Sequence, residues 1–302
     1  MDRRAFLKRI AGFSLGLASV GVSLPTSAKC KVVAPFSGFI AENFLDANIK
    51  SQIQKIKSDQ PELRLGETHC HSVFSDGNFE VQQIMERSAA LGLDFLVITE
   101  HIIPKLFSLE DSLLSFKERL RVIENWRLGD TPPIDVYPAF EVSTLQGHLI
   151  LLFPPQLLKK KYQSDFRSQF SKYSHSMDNM DTVAQLAKPL SGASIIPHPE
   201  IERSYPFGAP IDFIKQNLTG LVDGIEDIST GHGYDIDYSE KLNMASVGSS
   251  DDHFNMTIGT TVTGYDGNLH SNLISALQAK ATRAIKIDES LNDLFTAARI
   301  VL

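Results

Sequence analysis

Short apolar runs alternate with amphipathic stretches along most of the chain. The run Phe95-Leu96-Val97-Ile98 is apolar throughout, as expected for a strand that is buried on both faces of a sheet. Residues 80–91 instead repeat apolar side chains at helical spacing, with Asn78 available to cap the helix and Gly92 to end it. This alternation indicates β-α units around a parallel sheet or barrel.

The same pattern predicts seven strands and seven helices in one domain. The strands are expected at residues 65–71, 94–99, 134–140, 148–153, 193–197, 224–228 and 245–249. The helices are expected at residues 80–91, 109–126, 177–188, 209–217, 235–243, 269–280 and 290–300. A weaker helical pattern covers residues 41–57, and the polar, aromatic stretch 154–176 predicts a helix or lid over one face.

Composition narrows the class of protein. The 302 residues are 42% hydrophobic and 22% charged, which is enough for a sizeable core, and barrels of this size are often one domain. The net charge of -7, with no long basic run, argues against binding of long duplex nucleic acid. Two cysteines exclude a disulfide framework, and we expect Cys70 to be a small buried residue.

The first 28 residues have the features of an export signal. Arg3-Arg4-Ala5-Phe6-Leu7-Lys8 precedes a mild apolar run and resembles a twin-arginine signal, although Asp2 stands where Ser or Thr is usual. We therefore expect contact with the twin-arginine export machinery and a periplasmic protein, or a membrane-anchored one if the signal is not cleaved. Lipidation at Cys30 ranks below both. The resulting division is a signal at 1–28, an extension at 29–62 and a domain at 63–302.

Six of the nine histidines stand, together with carboxylates, at the ends of predicted strands. Residues two apart on a strand share a face, so His69 and His71 can reach one metal region. In a parallel barrel the carboxyl ends of all strands meet at one mouth. The potential ligands outnumber those of one ion, which indicates a multinuclear metal site and metal-assisted hydrolysis. They are His69, His71, Asp76, His101, Glu141, His148, His198, Asp251 and His253.

The ordered motifs resemble those of the PHP (polymerase and histidinol phosphatase) domain family between about Leu65 and Phe254. They are His69-x-His71-Ser72, Ser75-Asp76-Gly77, Thr99-Glu100-His101, Glu141-Val142-Ser143-Thr144, Gly147-His148, Pro197-His198-Pro199 and Ser250-Asp251-Asp252-His253. The resemblance implies a distorted seven-stranded (β/α) barrel, up to three divalent metals and phosphoester hydrolysis. It also implies that the nine residues above are the ligands and that Glu141 bridges two ions.

Several polar residues lie beside or outside these motifs. Glu67 and Glu100 stand where the family usually has Asp, and we interpret them as groups that orient ligands. Glu226, at a strand end, is either a similar orienting group or a salt-bridge partner. The remaining histidines are expected at the surface, and they are His175, His232 and His270. His232 has an alternative, because Gly231-His232-Gly233 follows a predicted strand and could reach the mouth.

The leading functional hypothesis is hydrolysis of a phosphomonoester or phosphodiester by metal-activated water. Two to three divalent ions, Zn, Mn or Fe, suit His and carboxylate ligands. The predicted substrate is a small phosphorylated molecule. The residues expected to carry catalysis are His69, His71, Glu141, Asp251 and His253. Arg203 is the first candidate for a phosphate-binding cation and Lys105 the second, while Tyr205 and Phe207 are expected to pack their loop.

Two other classes of protein fit the same residues. An amidohydrolase-type barrel also opens with His-x-His, but often uses a bridging lysine, and no lysine lies at the end of a predicted middle strand here. Activity on an amide or lactone but not on phosphoesters would favour that class. A metal-binding module without catalysis would retain metal and hydrolyse no phosphoester.

Overall fold

The computed structural model describes residues 46–126, 134–171, 177–201 and 207–287. The predicted export signal, residues 29–45 of the extension at 29–62, and the helix expected at 290–300 lie outside these ranges, as do Arg203, Tyr205 and His175. Among the helices of these four ranges, none combines the length and the apolar character that a membrane crossing requires.

Helices and strands alternate through the described ranges. The helices are α1 Asp46–Asp59, α2 Val81–Leu91, α3 Leu109–Trp126, α4 Gln163–Phe170, α5 Met180–Ala184, α6 Ile211–Asn217, α7 Tyr238–Leu242 and α8 Leu273–Gln278. The strands are β1 Leu63–Glu67, β2 Phe95–Ile102, β3 Asp135–Ser143, β4 His148–Leu152, β5 Ala193–Ile196, β6 Gly224–Ser229, β7 Tyr234–Asp235, β8 Ala245–Ser249, β9 Thr261–Asp266 and β10 Thr282–Lys286. Short 3-10 turns cover Pro155–Leu158, Lys160–Tyr162 and Lys188–Leu190.

All seven predicted strands form, and they lie in one mixed, curled sheet. The sheet has the order β10-β9-β1-β2-β3-β4-β5-β6-β7, and β8 pairs with the other edge of β6. The expectation of an all-parallel sheet was wrong, because β4 runs antiparallel to both β3 and β5. A short hairpin from Ser143 to His148 reverses the chain there, so β4 begins at the end of the sheet where β3 finishes.

The sheet curls so that the segment after β1 meets the segment after β8. Beyond β1 and β8 the chain makes a single parallel bridge, Cys70 to Asp252, in which the His71 amide donates to the Asp252 carbonyl at 2.9 Å. Closer to the other end, the unpredicted strand β9 pairs with β1, and β10 pairs with β9. The result is a mixed α/β fold with a curled half-barrel sheet, which brings the residues after β1 and β8 together.

Alternate residues on the inner face of the sheet form an apolar core at one end. This core contains Phe95, Val97, Tyr137, Ala139, Ile150, Leu152, Ala193, Ile195, Ala245 and Val247. Helix α8 closes that end, where Leu273 and Leu277 are fully buried and the Leu273 amide donates to the Tyr137 hydroxyl at 3.1 Å. The same inward register continues along β2, β3 and β4 to His101, Glu141 and His148. One face of each strand therefore supplies core residues first and polar residues at the other end.

The helices other than α8 pack on the outer face of the sheet. Helix α2 buries Val81, Ile84 and Met85, and Gly92 ends it in the left-handed conformation at φ 88°, as predicted. The cap prediction was wrong: Glu80 precedes the helix, and its amide donates to Gln83 at 3.1 Å. Asn78 instead donates its amide to the His253 carbonyl at 2.8 Å, because the loop before α2 follows the rim of the sheet.

Helix and loop lengths differ from the pattern in several other places. The helices expected at 235–243 and 269–280 are shortened to α7 and α8, and Asp235 belongs to β7 instead. The helix expected at 177–188 is shortened to α5 and the 3-10 turn Lys188–Leu190. The stretch after Pro154 forms two 3-10 turns and α4, which buries Phe166 and Phe170 against the core. It therefore covers the outer face of the sheet, where its aromatic rings contact Phe116, Phe140 and Phe153.

Candidate metal centre

The nine predicted site residues converge at the polar end of the sheet. They come from the segments after β1, β5 and β8, from the ends of β2 and β3 and from the start of β4. Most are buried, and only the His253 side chain keeps more than a tenth of its surface exposed, at 19%. The arrangement follows from the inward register, because β2, β3 and β4 each turn a His or Glu toward the same space.

Glu141 occupies the middle of the cluster and uses its two oxygens on two sides. Oε1 lies 2.7 Å from His148 Nδ1 and 2.9 Å from His198 Nε2. Oε2 lies 3.1 Å from His69 Nε2 and 3.2 Å from His71 Nε2. Oε2 also lies 3.2 Å from His101 Nδ1. Glu141 therefore has two histidines on one oxygen and three on the other, which is the geometry that a bridging carboxylate needs.

The His-x-His pair faces a second carboxylate at the other edge of the sheet. The His69 and His71 Nε2 atoms are 3.1 Å apart. Asp251 Oδ1 is 3.2 Å from His69 Nε2 and 3.1 Å from His71 Nε2. Donor atoms bound to one zinc ion at about 2.0 to 2.2 Å lie about 3 Å from their neighbours, so these separations suit shared coordination.

A third group surrounds Asp76 on the most exposed side of the centre. Asp76 Oδ2 lies 3.4 Å from His101 Nε2, and Oδ1 lies 3.3 Å from His253 Nε2. His71 Nδ1 is 3.7 Å from the same Oδ1, and the His71 ring stacks on those of His101 and His253. Because His71 contacts both Asp76 and Asp251, this group is continuous with the rest of the centre.

The donors of this cluster fit divalent metal ions. Four groups of His, Asp and Glu bring their donor atoms within 4.8 Å of one another: His71 with Asp76, His101 and His253; His69 with His198 and Asp251; His69 with His71 and Glu141; and His101 with Glu141 and His148. Several of their buried atoms also have no hydrogen-bond partner within the described ranges, among them His71 Nδ1, His148 Nε2, His198 Nδ1 and Asp76 Oδ1. Buried polar atoms are normally paired, so this set suits bound cations.

The electrostatics of the cluster also favour added positive charge. Burial alone would raise the pKa of Asp76, Glu141 and Asp251, but the surrounding imidazoles outweigh burial and hold each pKa well below its usual value. Burial lowers the pKa of His69, yet Asp251, Glu141 and Glu226 raise it well above the ordinary histidine range. A proton or a metal ion can supply this positive charge, and the two compete for the same nitrogen atoms.

His148 and His198, on the Oε1 side of Glu141, have lowered rather than raised pKa values. Burial is the main influence on His148 and lowers its pKa, despite the opposing charge of Glu141. Burial likewise lowers the pKa of His198 to about 4. Both imidazoles are therefore neutral near pH 7, which is the form that binds metal.

Glu226 resolves an alternative that the sequence left open. Its Oε1 lies 2.8 Å from His69 Nδ1 and accepts the Ser249 hydroxyl at 2.6 Å. Its Oε2 accepts the His198 amide at 2.7 Å. Glu226 therefore orients residues of the centre, and its contact with Nδ1 leaves His69 Nε2 facing Glu141 and Asp251.

Glu67 and Glu100 act on the centre through the backbone and neighbouring side chains. Glu67 accepts the amides of His69 and Ser250 at 3.1 and 3.0 Å, so it ties the segment after β1 to the segment after β8. Glu100 accepts the hydroxyl of Ser75 at 2.7 Å, next to Asp76, and contacts the fully buried Arg119 of α3 at 3.7 Å. Within the described ranges neither carboxylate contacts a site imidazole, so both support the loops that carry ligands.

Two site residues have unusual backbone conformations. His198 has φ 31° and Asp251 has φ 47°, both in the left-handed region that side chains other than glycine seldom occupy. Such conformations cost about 1 to 3 kcal/mol and persist where surrounding contacts hold them. In both cases the chain has just left a strand, and the turn directs the side chain into the cluster.

The expectation of a surface position for His232 was wrong. His232 is only 8% exposed, and its Nε2 lies 2.6 Å from Asp251 Oδ2. Its position after the predicted strand at 224–228, between Gly231 and Gly233, was the available signal, since that strand ends at the same mouth as the others. His270 is half-buried in the turn after β9, where its backbone amide donates to the Asp266 carbonyl.

Lys105 and Phe207, which lie in the loops considered for substrate binding, are placed around the metal centre rather than within it. Lys105 is exposed on the loop after β2, with φ 71°, and lines a cavity of about 200 Å³ with Leu106, Phe107 and Asp111. The Phe107 ring lies 6.0 Å from the His101 ring, so this cavity adjoins the centre. Phe207 packs against the rings of His148 and His198 at 4.6 and 4.8 Å, so it walls the centre rather than its own loop alone.

Comparison with protein-family models and with curated proteins gave no match. Solved structures similar to this chain include a two-domain protein from Bacteroides vulgatus that contains a predicted PHP-like metal-dependent phosphoesterase. It is 20% identical, with a TM-score of 0.49, over 74% of this chain and 66% of that one. The aligned part therefore spans just under two thirds of that protein.

Two further solved structures have related descriptions. A protein from Bifidobacterium adolescentis, provisionally described as a metal-dependent phosphoesterase, is 13% identical over 63% of this chain and 88% of its own, with a TM-score of 0.44. Endonuclease Q, in complex with a duplex that carries an abasic lesion, is 17% identical over 67% of this chain and 52% of its own, with a TM-score of 0.44.

Proposed function

We propose that this protein is a metal-dependent hydrolase of the PHP type that cleaves a phosphomonoester or phosphodiester. The observation that carries the proposal is the buried position of Glu141 among five histidines, with its Oε1 against His148 and His198 and its Oε2 against His69, His71 and His101. A bridging carboxylate with histidines on both sides is the donor arrangement of a multinuclear hydrolytic centre.

The chain itself would hold the ions in three overlapping groups. His69, His71, Glu141 and Asp251 form one, and Glu141 with His148 and His198 forms the second. Asp76, His101 and His253 form the third. When bound, divalent ions supply a nucleophile near neutral pH and stabilise negative charge on phosphoryl oxygens.

Other side chains would bind the substrate and hold the centre in shape. His253 is the most exposed of the nine residues, so substrate would enter on the side of His253 and Asp76. Lys105, beside the adjoining cavity, and Arg203 are the candidate cations for the phosphoryl group. Glu226 keeps His69 Nε2 directed into the cluster, and Phe207 excludes water from the rings of His148 and His198.

Elemental analysis combined with hydrolysis assays tests the proposal. The substrates are p-nitrophenyl phosphate and bis(p-nitrophenyl) phosphate, and the variants are His71→Ala and, as a control histidine away from the centre, His270→Ala. We expect two to three ions per chain in the wild type and in His270→Ala, with hydrolysis lost in His71→Ala. A wild type with almost no metal, or activity that survives His71→Ala, would contradict the proposal.

The same assays separate the other classes of function. Retained metal without hydrolysis of either ester would favour a metal-binding module. Hydrolysis of amide or lactone substrates alone would favour an amidohydrolase-type reaction at the same residues.

A further inference from the structure

His232 is a tenth polar residue of the centre, and it lies outside the nine motif positions. It belongs to the turn Gly231-His232-Gly233 between β6 and β7. Its ring centroid is 4.8 Å from that of His198, and its Nε2 is 2.6 Å from Asp251 Oδ2. Of the nine motif residues, Asp251 is the one that His232 contacts by hydrogen bond.

The chemistry of this contact determines its direction. An ionised carboxylate only accepts hydrogen bonds, so His232 must donate through Nε2–H. The donated hydrogen bond occupies Oδ2 of Asp251. The other oxygen, Oδ1, faces His69 Nε2 and His71 Nε2 at 3.2 and 3.1 Å. The two oxygens of Asp251 therefore have separate partners.

The backbone around His232 is shaped to allow this approach. A side chain at Gly231 would place a Cβ 2.5 Å from the Ser250 carbonyl oxygen and 3.3 Å from Asp251 Cβ. Without one, the Gly231 amide reaches the Ser250 carbonyl at 2.8 Å and the turn lies flat against the segment that carries Asp251. Gly233 then turns the chain away at φ 62°.

Neighbouring aromatic rings flank the His232 imidazole. The Tyr234 ring is nearly parallel to that of His232, at 17° and 6.4 Å, and the Tyr234 hydroxyl donates to Glu226 at 3.3 Å. Glu226 in turn contacts His69 Nδ1. His232 and Glu226 thus act on opposite sides of the same pair, one on Asp251 and one on His69.

We propose that His232 is a positioning residue that restrains Asp251 so that Oδ1 alone is presented to the metal region of His69 and His71. This inference rests on the proposed metal centre, and it names a residue that determines how tightly this centre binds metal ions. Hydrogen-bond partners of metal ligands typically change metal affinity by about 10-fold to 100-fold when removed. A histidine that merely filled space would be replaceable by any side chain of similar size.

Cobalt binding to a matched series of variants tests this role. Co²⁺ alone is titrated into chelator-treated protein, and its visible absorption spectrum reports the ligands. The series is His232→Leu, His232→Gln and His232→Asn, with His270→Leu as the control. The Gln amide nitrogen reaches the place of Nε2, whereas the Asn nitrogen reaches only the place of Nδ1. We expect Leu and Asn to weaken one Co²⁺ site by about 10-fold to 100-fold and alter its spectrum, and Gln to restore both.

The outcomes separate this inference from the proposed function. A wild type that binds no Co²⁺ would overturn both. A wild type that binds Co²⁺, with Leu and Asn variants of equal affinity and unchanged spectrum, would overturn the role of His232 alone. If His232→Leu does not fold, as judged by circular dichroism, the comparison of Gln with Asn decides, because both are polar and only one carries a donor at the required distance.

Discussion

Glu226 shows how one buried carboxylate can set the chemistry of several neighbours. It contacts His69 Nδ1 and accepts from the Ser249 hydroxyl, the His198 amide and the Tyr234 hydroxyl. Burial raises the pKa of Glu226, but His69, His198 and the hydrogen bonds outweigh burial and lower it, so the group is ionised. An ionised Glu226 requires the Nδ1–H form of His69, and Nε2 is then free to bind metal.

Replacing this charge without changing its size tests that dependence. In Glu226→Gln one carboxylate oxygen becomes an NH₂ group, which cannot accept the hydrogen bonds that this oxygen now accepts. The oxygen that remains is uncharged and therefore a weaker acceptor, so the hydrogen bond from His69 weakens in either orientation. We expect metal affinity to fall by about 10-fold to 100-fold, measured by competition with a chelating dye. Glu118→Gln, at a half-buried position of α3 where Glu118 pairs with Arg121, is the control and should bind metal as the wild type does. Equal affinity in Glu226→Gln would show that His69 needs no such partner.

At the level of residues, the sequence was sufficient to predict that the nine motif positions converge, and that Glu67 and Glu100 support them, but not the other contacts around them. His69 could be found from the His-x-His motif, and Glu141 because it ends an apolar run, where strand geometry predicts convergence. Glu226 was ambiguous, because a carboxylate at a strand end has the same pattern whether it faces a histidine or a lysine. His232 was missed, because its contact with Asp251 depends on how close a glycine turn comes to another segment.

The hairpin between β3 and β4 is the element that adds His148 to the centre. Thr144 donates both its amide and its hydroxyl to the Gly147 carbonyl, at 2.8 and 2.6 Å, and this closes the turn. Gly147 has φ 144°, in a region that is nearly exclusive to glycine. The His148 amide then donates to the Phe207 carbonyl at 2.9 Å, which fixes the start of β4 against the opposite loop.

A single methyl group in this hairpin should disturb the centre. In Gly147→Ala the Cβ would lie 2.7 Å from the Ala209 amide nitrogen, in addition to the cost of the positive φ. We expect a loss of about 2 to 4 kcal/mol in unfolding free energy and a lower metal content per chain, measured by chemical denaturation and elemental analysis. The backbone shift needed to relieve the contact moves His148 away from Glu141.

Gly220 offers a matched control for this prediction. It also has positive φ, at 78°, but a Cβ there meets no atom within 4 Å. Gly220→Ala should therefore cost only about 1 to 2 kcal/mol and leave the metal content unchanged. Equal effects of the two variants would mean that the hairpin has no special connection with the metal centre.

At the level of elements, all seven predicted strands form, although the one expected at 65–71 ends as β1 at Glu67. The pattern did not reveal the two-residue strand β7, where a helix was expected from residue 235, nor β9 and β10, whose residues are mixed and include Gly264 in the middle of β9. One edge of β1 pairs with β2, and the other edge does not pair with β8 and so requires another partner. β9 pairs along that other edge from Leu63 to Gly66. Such a requirement belongs to the assembled sheet and leaves little trace in local sequence.

The whole molecule combines a net charge of -7 with a buried cluster that binds either protons or metal ions. Without metal, the negative groups raise the pKa of His69 and His253 despite burial, and that of His71 to about 10. Protons on these groups stabilise the folded state. That stabilisation is complete below the ordinary histidine pKa of about 6.5 and is lost as the pH rises through the raised pKa values.

Metal-loaded protein should show the opposite dependence on pH. Metal ions require unprotonated imidazoles, so loading becomes tighter as the pH rises and proton competition weakens. We therefore expect the difference in Tm between zinc-loaded and chelator-treated protein to widen from about pH 6 to about pH 8.5. Zinc at about 100 times its Kd adds about 2.7 kcal/mol, which for a chain of this size corresponds to about 4 to 5 °C.

Differential scanning fluorimetry of both forms across this pH range measures the effect, in buffers that do not bind zinc. His71→Ala supplies the matched control, because it removes one nitrogen from the centre and should show a smaller difference at every pH. Two parallel curves for the wild type would mean that zinc does not displace protons from the cluster. A widening gap would instead identify the buried histidines as groups that exchange protons for metal, which explains how so many carboxylates and imidazoles can occupy one buried space.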